Sequence, residues 1–143
     1  MCFKNNKSAF QNHDFVDTAI AELVDNGCAI KVPLKPYVVS PLSVKTQKSG
    51  KKRLILDLSV LNKFVRKDKC KYEDWKVPMQ LFGQNYYMYK FDLKSGYHHF
   101  DICTKQQTYL GFSWKGIFLL FHCFIICVAL LPFFIHEMLE SHG

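Results

Sequence analysis

No CxxC pair and no framework spacing occurs among the six cysteines, at positions 2, 28, 70, 103, 123 and 127. A disulfide scaffold is therefore excluded, and free thiols in a reducing compartment are the expectation. Residues 1–7 carry no apolar leader, which points the same way, to an intracellular protein of cytoplasm or nucleus. His122, Cys123, Cys127 and His136 lack chelating spacing and make no metal site. There is no internal repeat and no low-complexity segment. Charge is missing from residues 117–135, an apolar run of 19 residues that only His122 and Pro132 interrupt. That length suffices to cross a bilayer. It equally suits a buried strand followed by a buried helix, and Pro132 and the lack of a second span favour burial.

The chain has 143 residues, enough for one domain or a piece of a larger one, and 49% of them are hydrophobic. Thirteen Phe and seven Tyr favour a packed, mixed or sheet-rich core. The net charge of +7 is uneven: residues 45–71 hold ten basic side chains against Asp57 and Asp68, a local +8 that leaves the rest near neutral. Concentrated positive charge fits a phosphate-bearing partner, and a solvated basic face is the alternative.

The pattern predicts these elements. Residues 1–10 form a loose polar tail. His13-Asp14 caps a helix whose stripe is Val16, Ile20, Leu23 and Val24, stopped at Asn26-Gly27. Pro33, Pro36 and Pro41 exclude a helix over 30–41. A β-hairpin follows, with one strand from Leu42, a turn at Gln47-Lys48-Ser49-Gly50, and a second strand over 52–58. Leu54, Leu56 and Leu58 fall on one face of that strand, and Arg53, Ile55 and Asp57 on the other. Ser59 caps a short helix to about Val65, and a second short helix spans 77–82. A strand covers 86–93, a helical turn 104–108, and another strand 109–114. Glu137 and Glu140 fall on a C-terminal helix.

Three polar features then gather in order: a basic hairpin, a basic loop after it, and Asp92 at a strand end before Ser95-Gly96-Tyr97. Nucleotidyl transfer needs such groups. Carboxylates hold divalent metal, cations neutralise a triphosphate, and a shaped wall seats the sugar. The order resembles that of reverse transcriptases, in particular those of retrotransposons. The resemblance rests on Ser40-Pro41-Leu42-Ser43-Val44, on Arg53-Leu54-Ile55-Leu56-Asp57-Leu58 leading to Leu61-Asn62, and on Lys71-Tyr72-Glu73-Asp74. It rests above all on Phe91-Asp92-Leu93-Lys94-Ser95-Gly96-Tyr97-His98-His99, and Tyr109-Leu110-Gly111-Phe112 extends it.

The resemblance implies an α+β fold of reverse-transcriptase-like fingers and truncated palm, an antiparallel sheet with packed helices. Fingers-like residues 11–85 would follow the tail 1–10. A partial palm would span 86–116, and 117–143 would be a divergent apolar segment. Asp92 resembles the first catalytic aspartate and metal ligand, with the Leu93 carbonyl beside it, and the implied cofactor is Mg²⁺. Arg53 is similar to the arginine that grips the incoming dNTP, assisted by Lys45 or Lys48. Tyr97 matches the aromatic under the deoxyribose. Lys48, Lys51 and Lys52 at the hairpin tip would meet an RNA/DNA primer-template. Asp57 matches a structural aspartate.

The departures are as definite. Leu131-Pro132-Phe133 is followed by Phe134 where the family has glycine, and no YxDD appears. One carboxylate does not hold two metals, so the expectation is a truncated domain, inactive alone. A non-enzymatic nucleic-acid-binding relic and a small membrane protein spanning at 117–135 are the competing readings.

Overall fold

Alternation of apolar and charged side chains between residues 42 and 56 folds as a two-stranded antiparallel hairpin in the computed structural model, which describes residues 1–65, 74, 76–90 and 101–123. Strand β2 (Leu42–Thr46) pairs with β3 (Lys52–Leu56) in the register Leu42 to Leu56, Val44 to Leu54, Lys45 to Arg53 and Thr46 to Lys52. Directly opposed residues share a face. Leu42, Val44 and Leu56 are therefore buried together, with Leu54 half-buried beside them, while Lys45 and Arg53 stand in solvent. Gly50 closes the turn at φ 80°, a left-handed conformation that a side chain would strain. The second strand ends at Leu56, two residues before the expected Leu58. Leu58 is nonetheless 1% exposed and packs in the same core.

The segment read as a loose tail is anchored instead. Helix α1 spans Lys7–Gln11 and buries Ala9 completely. Ahead of it, Cys2 bridges Val39, and the Phe3 amide donates to the Val39 carbonyl at 2.9 Å. The Asn5 side chain donates to the Ser113 carbonyl at 2.7 Å and accepts from the Leu42 amide at 2.9 Å, tying two sheets through one residue. The Ser8 hydroxyl accepts from the Val44 amide at 3.1 Å. The polar residues here satisfy backbone groups on distant elements, which explains how a hydrophilic segment is held in place.

Helix α2 (His13–Asp25) follows the predicted stripe, with Val16 and Ile20 buried and Leu23 and Val24 against the core. Gly27, at φ 72°, ends it. Strand β1 (Ala29–Val32) then pairs along β5 (Ile117–Phe121), which pairs on its other edge with β4 (Gly111–Trp114), giving an antiparallel sheet in the order β1-β5-β4. Lys115 and Gly116, both at positive φ, make the tight turn from β4 to β5.

The core is one cluster centred on Phe112, Leu119, Leu42, Leu58 and Val16. Phe112 and Phe121 meet at 5.1 Å between ring centres. Each such side chain contributes roughly 1.5–3 kcal/mol by leaving water.

The apolar run starting at Ile117 is therefore a central strand at its beginning. A bilayer helix over 117–135 is overturned, because β5 satisfies its backbone by pairing with strands on both sides. No helix among the described residues is long and apolar enough to cross a membrane. The rest of that run, from residue 124, lies outside the described residues, as does the expected helix holding Glu137 and Glu140.

Smaller differences follow from local chemistry. After the hairpin, Ser59 does not cap a helix. The Asp57 carboxylate instead accepts from the Ser59 amide at 2.9 Å, and only a 3₁₀ turn, Leu61–Lys63, follows. The second short helix, α3, is Lys76–Met79 rather than 77–82. Residues 86–90, expected in a strand, are not assigned to one, Tyr87 and Tyr89 are exposed, and the rest of the expected strand, 91–93, lies outside the described residues. The helical turn expected at 104–108 is α4, Thr104–Gln107. Tyr109 and Leu110 precede β4 rather than joining it.

Candidate nucleic-acid interface

A β-hairpin is a rigid way to present cations in a fixed order, because register sets which side chains are neighbours. Here register sets Lys45 directly across from Arg53. Residues opposed in this way have Cβ atoms about 5 Å apart, and like charges so placed are destabilising. Both side chains are exposed. Alternation brings Lys51 to the same face, beside Gln47. Lys52 pairs with Thr46 and points to the opposite face, and Lys48 sits in the turn. The expected set of five cations is thus divided: Lys45, Lys51 and Arg53 on one face, Lys48 at the tip, and Lys52 behind.

Arg53 gains a partner that the sequence did not suggest when the Gln47 amide is oriented by its neighbours' donors and acceptors. With its amide oxygen turned toward the guanidinium, Gln47 accepts from Nε–H and Nη2–H of Arg53, each at 3.2 Å. The only signal available beforehand was register, which makes position 47 a diagonal neighbour of 53 once the turn is fixed.

Asp57, at the far end of the same strand, has its carboxyl held below the ordinary carboxylate range by the hydroxyl and amide of Ser59. Its amide also donates to the Pro41 carbonyl at 2.9 Å. These bonds pin the base of the hairpin, a structural role matching the one implied by resemblance.

Asp92, Leu93 and Tyr97 lie outside the described residues, so no geometry joins them to Arg53. Among the described residues, ligating side chains gather at His13, Asp14 and Asp17, at the start of α2. This set does not fit the metal site of nucleotidyl transfer. It mixes nitrogen with oxygen donors and is exposed, and Asp17 is already committed. Its Oδ1 accepts from the Trp114 indole N–H at 2.7 Å, and its Oδ2 from Lys115 Nζ at 2.6 Å. The Lys115 bond, then the Trp114 bond, holds the Asp17 carboxyl below its ordinary pKa. The Asp92 carboxylate and Leu93 carbonyl suit Mg²⁺ in kind, as hard oxygens, but fall short in number.

The buried thiols are also accounted for. Cys123 Sγ donates to the Cys28 carbonyl at 3.6 Å, and burial pushes its pKa up to about 12, so it stays a neutral core group. The four described cysteines are free.

The fold is reverse-transcriptase-like. The foamy viral protease-reverse transcriptase in complex with dsDNA matches 99% of this chain with a TM-score of 0.69 at 19% sequence identity. The Prototype Foamy Virus enzyme, as a selenomethionine-labelled mutant, matches with a TM-score of 0.72 at 16% identity. The foamy viral protein in complex with RNA/DNA hybrid matches with a TM-score of 0.66 at 18% identity. The chain covers 29%, 19% and 19% of those chains, under a third of each. No protein-family model matches the sequence, and no curated protein does.

Proposed function

We propose that these 143 residues are the fingers and partial palm of an RNA-directed DNA polymerase of retrotransposon type, holding a dNTP and an RNA/DNA primer-template. One observation carries the reading: Lys45 and Arg53 face each other across the hairpin in solvent. A fold maintains such a like-charged pair at a loss unless an anion bridges it, and the phosphate chain of a nucleotide is an anion of suitable size. Arg53 supplies a planar fork to a phosphate, and Lys45 a point charge beside it. Lys48, Lys51 and Lys52 extend the positive surface along the hairpin tip, where a nucleic acid backbone would run. Asp92, the Leu93 carbonyl and Tyr97 keep their resemblance-based roles as catalytic carboxylate, second metal ligand and sugar-facing aromatic. With one such carboxylate among them, these residues bind substrates but do not extend a primer by themselves.

The test is dNTP binding by the chain with and without Mg²⁺, alongside Arg53→Ala. The expected result is measurable dNTP affinity that Mg²⁺ strengthens and Arg53→Ala removes by about tenfold or more, as for loss of a charged hydrogen-bond pair. Binding of all nucleic acids with no dNTP selectivity would overturn it in favour of a non-enzymatic binding relic. Primer extension by this chain alone would refute the incompleteness of its site.

A further inference from the structure

We infer that Gln47 is a positioning residue for Arg53: it orients the guanidinium so that one open fork faces an incoming polyphosphate. The inference rests on the nucleotide reading above and adds to it a residue whose own side chain touches no phosphate.

The geometry begins in the backbone of the turn. The Gln47 amide donates to the Lys51 carbonyl at 2.8 Å, and the Gln47 carbonyl accepts from the Gly50 amide at 2.9 Å. Both main-chain groups of Gln47 are thus fixed by the turn that Gly50 makes possible. The direction of its Cα–Cβ bond is fixed with them, and the side chain is half-buried. From that base, with the amide oriented oxygen toward the guanidinium, Oε1 accepts from Nε–H and Nη2–H of Arg53 at 3.2 Å each.

A guanidinium has five N–H donors in one plane, arranged as two forks. Gln47 takes the fork formed by Nε and Nη2. The other, formed by Nη1 and the remaining Nη2 hydrogen, faces away from it and has the spacing to meet two oxygens of one phosphate. The neutral amide leaves the charge of Arg53 intact, whereas a carboxylate there would oppose it. Among the described residues the Arg53 guanidinium has no other hydrogen-bond partner, and Lys45 opposite repels it. Without Gln47, four rotatable side-chain bonds would be free to swing the head group away, and that freedom would have to be lost on each binding event.

The experiment uses the full chain with inorganic tripolyphosphate as the probe. Affinity is measured by calorimetry, and the Arg53 Nε–Hε resonance by NMR. Gln47→Ala is expected to weaken tripolyphosphate by about fivefold, the scale of one hydrogen-bonded contact. It should also broaden or abolish the Nε–Hε signal, while Tm holds because the backbone bonds of the turn remain. Gln47→Glu keeps an acceptor, so the signal should return while affinity stays below wild type. That split is one a merely structural residue would not produce. Wild-type affinity and a sharp Nε–Hε signal in Gln47→Ala, with Arg53→Ala still defective, would overturn the role of Gln47 and leave the nucleotide reading standing. Unchanged affinity in Arg53→Ala would instead remove the anion site and the nucleotide reading together.

Discussion

Removing the cations of one hairpin face should change how binding responds to salt, by an amount that register predicts. Lys45, Lys51 and Arg53 share a face, while Lys52 pairs with Thr46 on the other. Each cation that neutralises a duplex phosphate adds about 0.9 to the negative slope of log K against log salt. If all five hairpin cations meet phosphates, the slope is about −4.5, and affinity falls on the order of 500-fold between 50 and 200 mM salt. Replacing Lys45, Lys51 and Arg53 together by alanine should bring the slope to about −1.8, leaving a fall of roughly 12-fold over that range. Lys52→Ala alone should move it by about 0.9 at most, and by nothing if the bound backbone follows the Lys45–Arg53 face. Fluorescence anisotropy with a labelled RNA/DNA hybrid, titrated at four or five salt concentrations, reads these slopes directly. A wild-type slope near zero, or a triple variant with the wild-type slope, would refute the assignment of this face. A Lys52→Ala shift of about 0.9 beside an unshifted triple variant would place the contact on the opposite side of the hairpin.

Other consequences concern the scaffold. A Cβ at Gly111 would sit 2.6 Å from the Val38 carbonyl oxygen and 2.5 Å from Pro36 Cβ, so Gly111→Ala should destabilise by about 3 kcal/mol, visible as a lower urea midpoint; an unchanged midpoint would mean that this close approach does not exist. Phe112 is fully buried against Phe121, and Phe112→Ala should cost about 3–5 kcal/mol, measured by the same denaturation; a loss under 1 kcal/mol would contradict its place in the core. Asp17 has a depressed folded pKa, so its contribution is present at neutral pH and fades as the pH falls through the folded value, below the usual carboxylate range. The Tm difference between wild type and Asp17→Asn should accordingly shrink on acidification, and parallel Tm curves from pH 7 to 2 would rule that out.

The elements most legible in the sequence were those whose signal is local. The hairpin announces itself by strict alternation around a glycine turn, and α2 by a four-residue apolar stripe with Asn26-Gly27 behind it. Residues 1–11 gave no such signal, because what orders them is non-local. Asn5 reaches Leu42 and Ser113, and nothing about an asparagine near a chain start foretells partners 37 and 108 positions away. Hydropathy misled at Ile117 for a physical reason. A central strand paired on both edges in a core is as continuously apolar as a membrane helix over the same few residues. Tyr86 to Lys90 misled in the other direction, because aromatic strand propensity reflects packing context more than an intrinsic backbone preference. At the candidate site, charge density and the position of Arg53 were readable. The division of the lysines between two faces and the tie to Gln47 were not, since both depend on register and turn geometry.

The opposition of Lys45 and Arg53 also makes salt act in two directions on one hairpin. Like charges on directly opposed strand positions repel, and added salt screens that repulsion. The empty hairpin should therefore grow more stable as salt rises, while its hold on a phosphate backbone weakens. A bound polyanion does what salt does, but locally, so the repulsion stored in the free fold is released as binding affinity. Raising the ionic strength therefore narrows the stability gap between the filled and the empty hairpin from both sides, through two side chains and the register that pairs them.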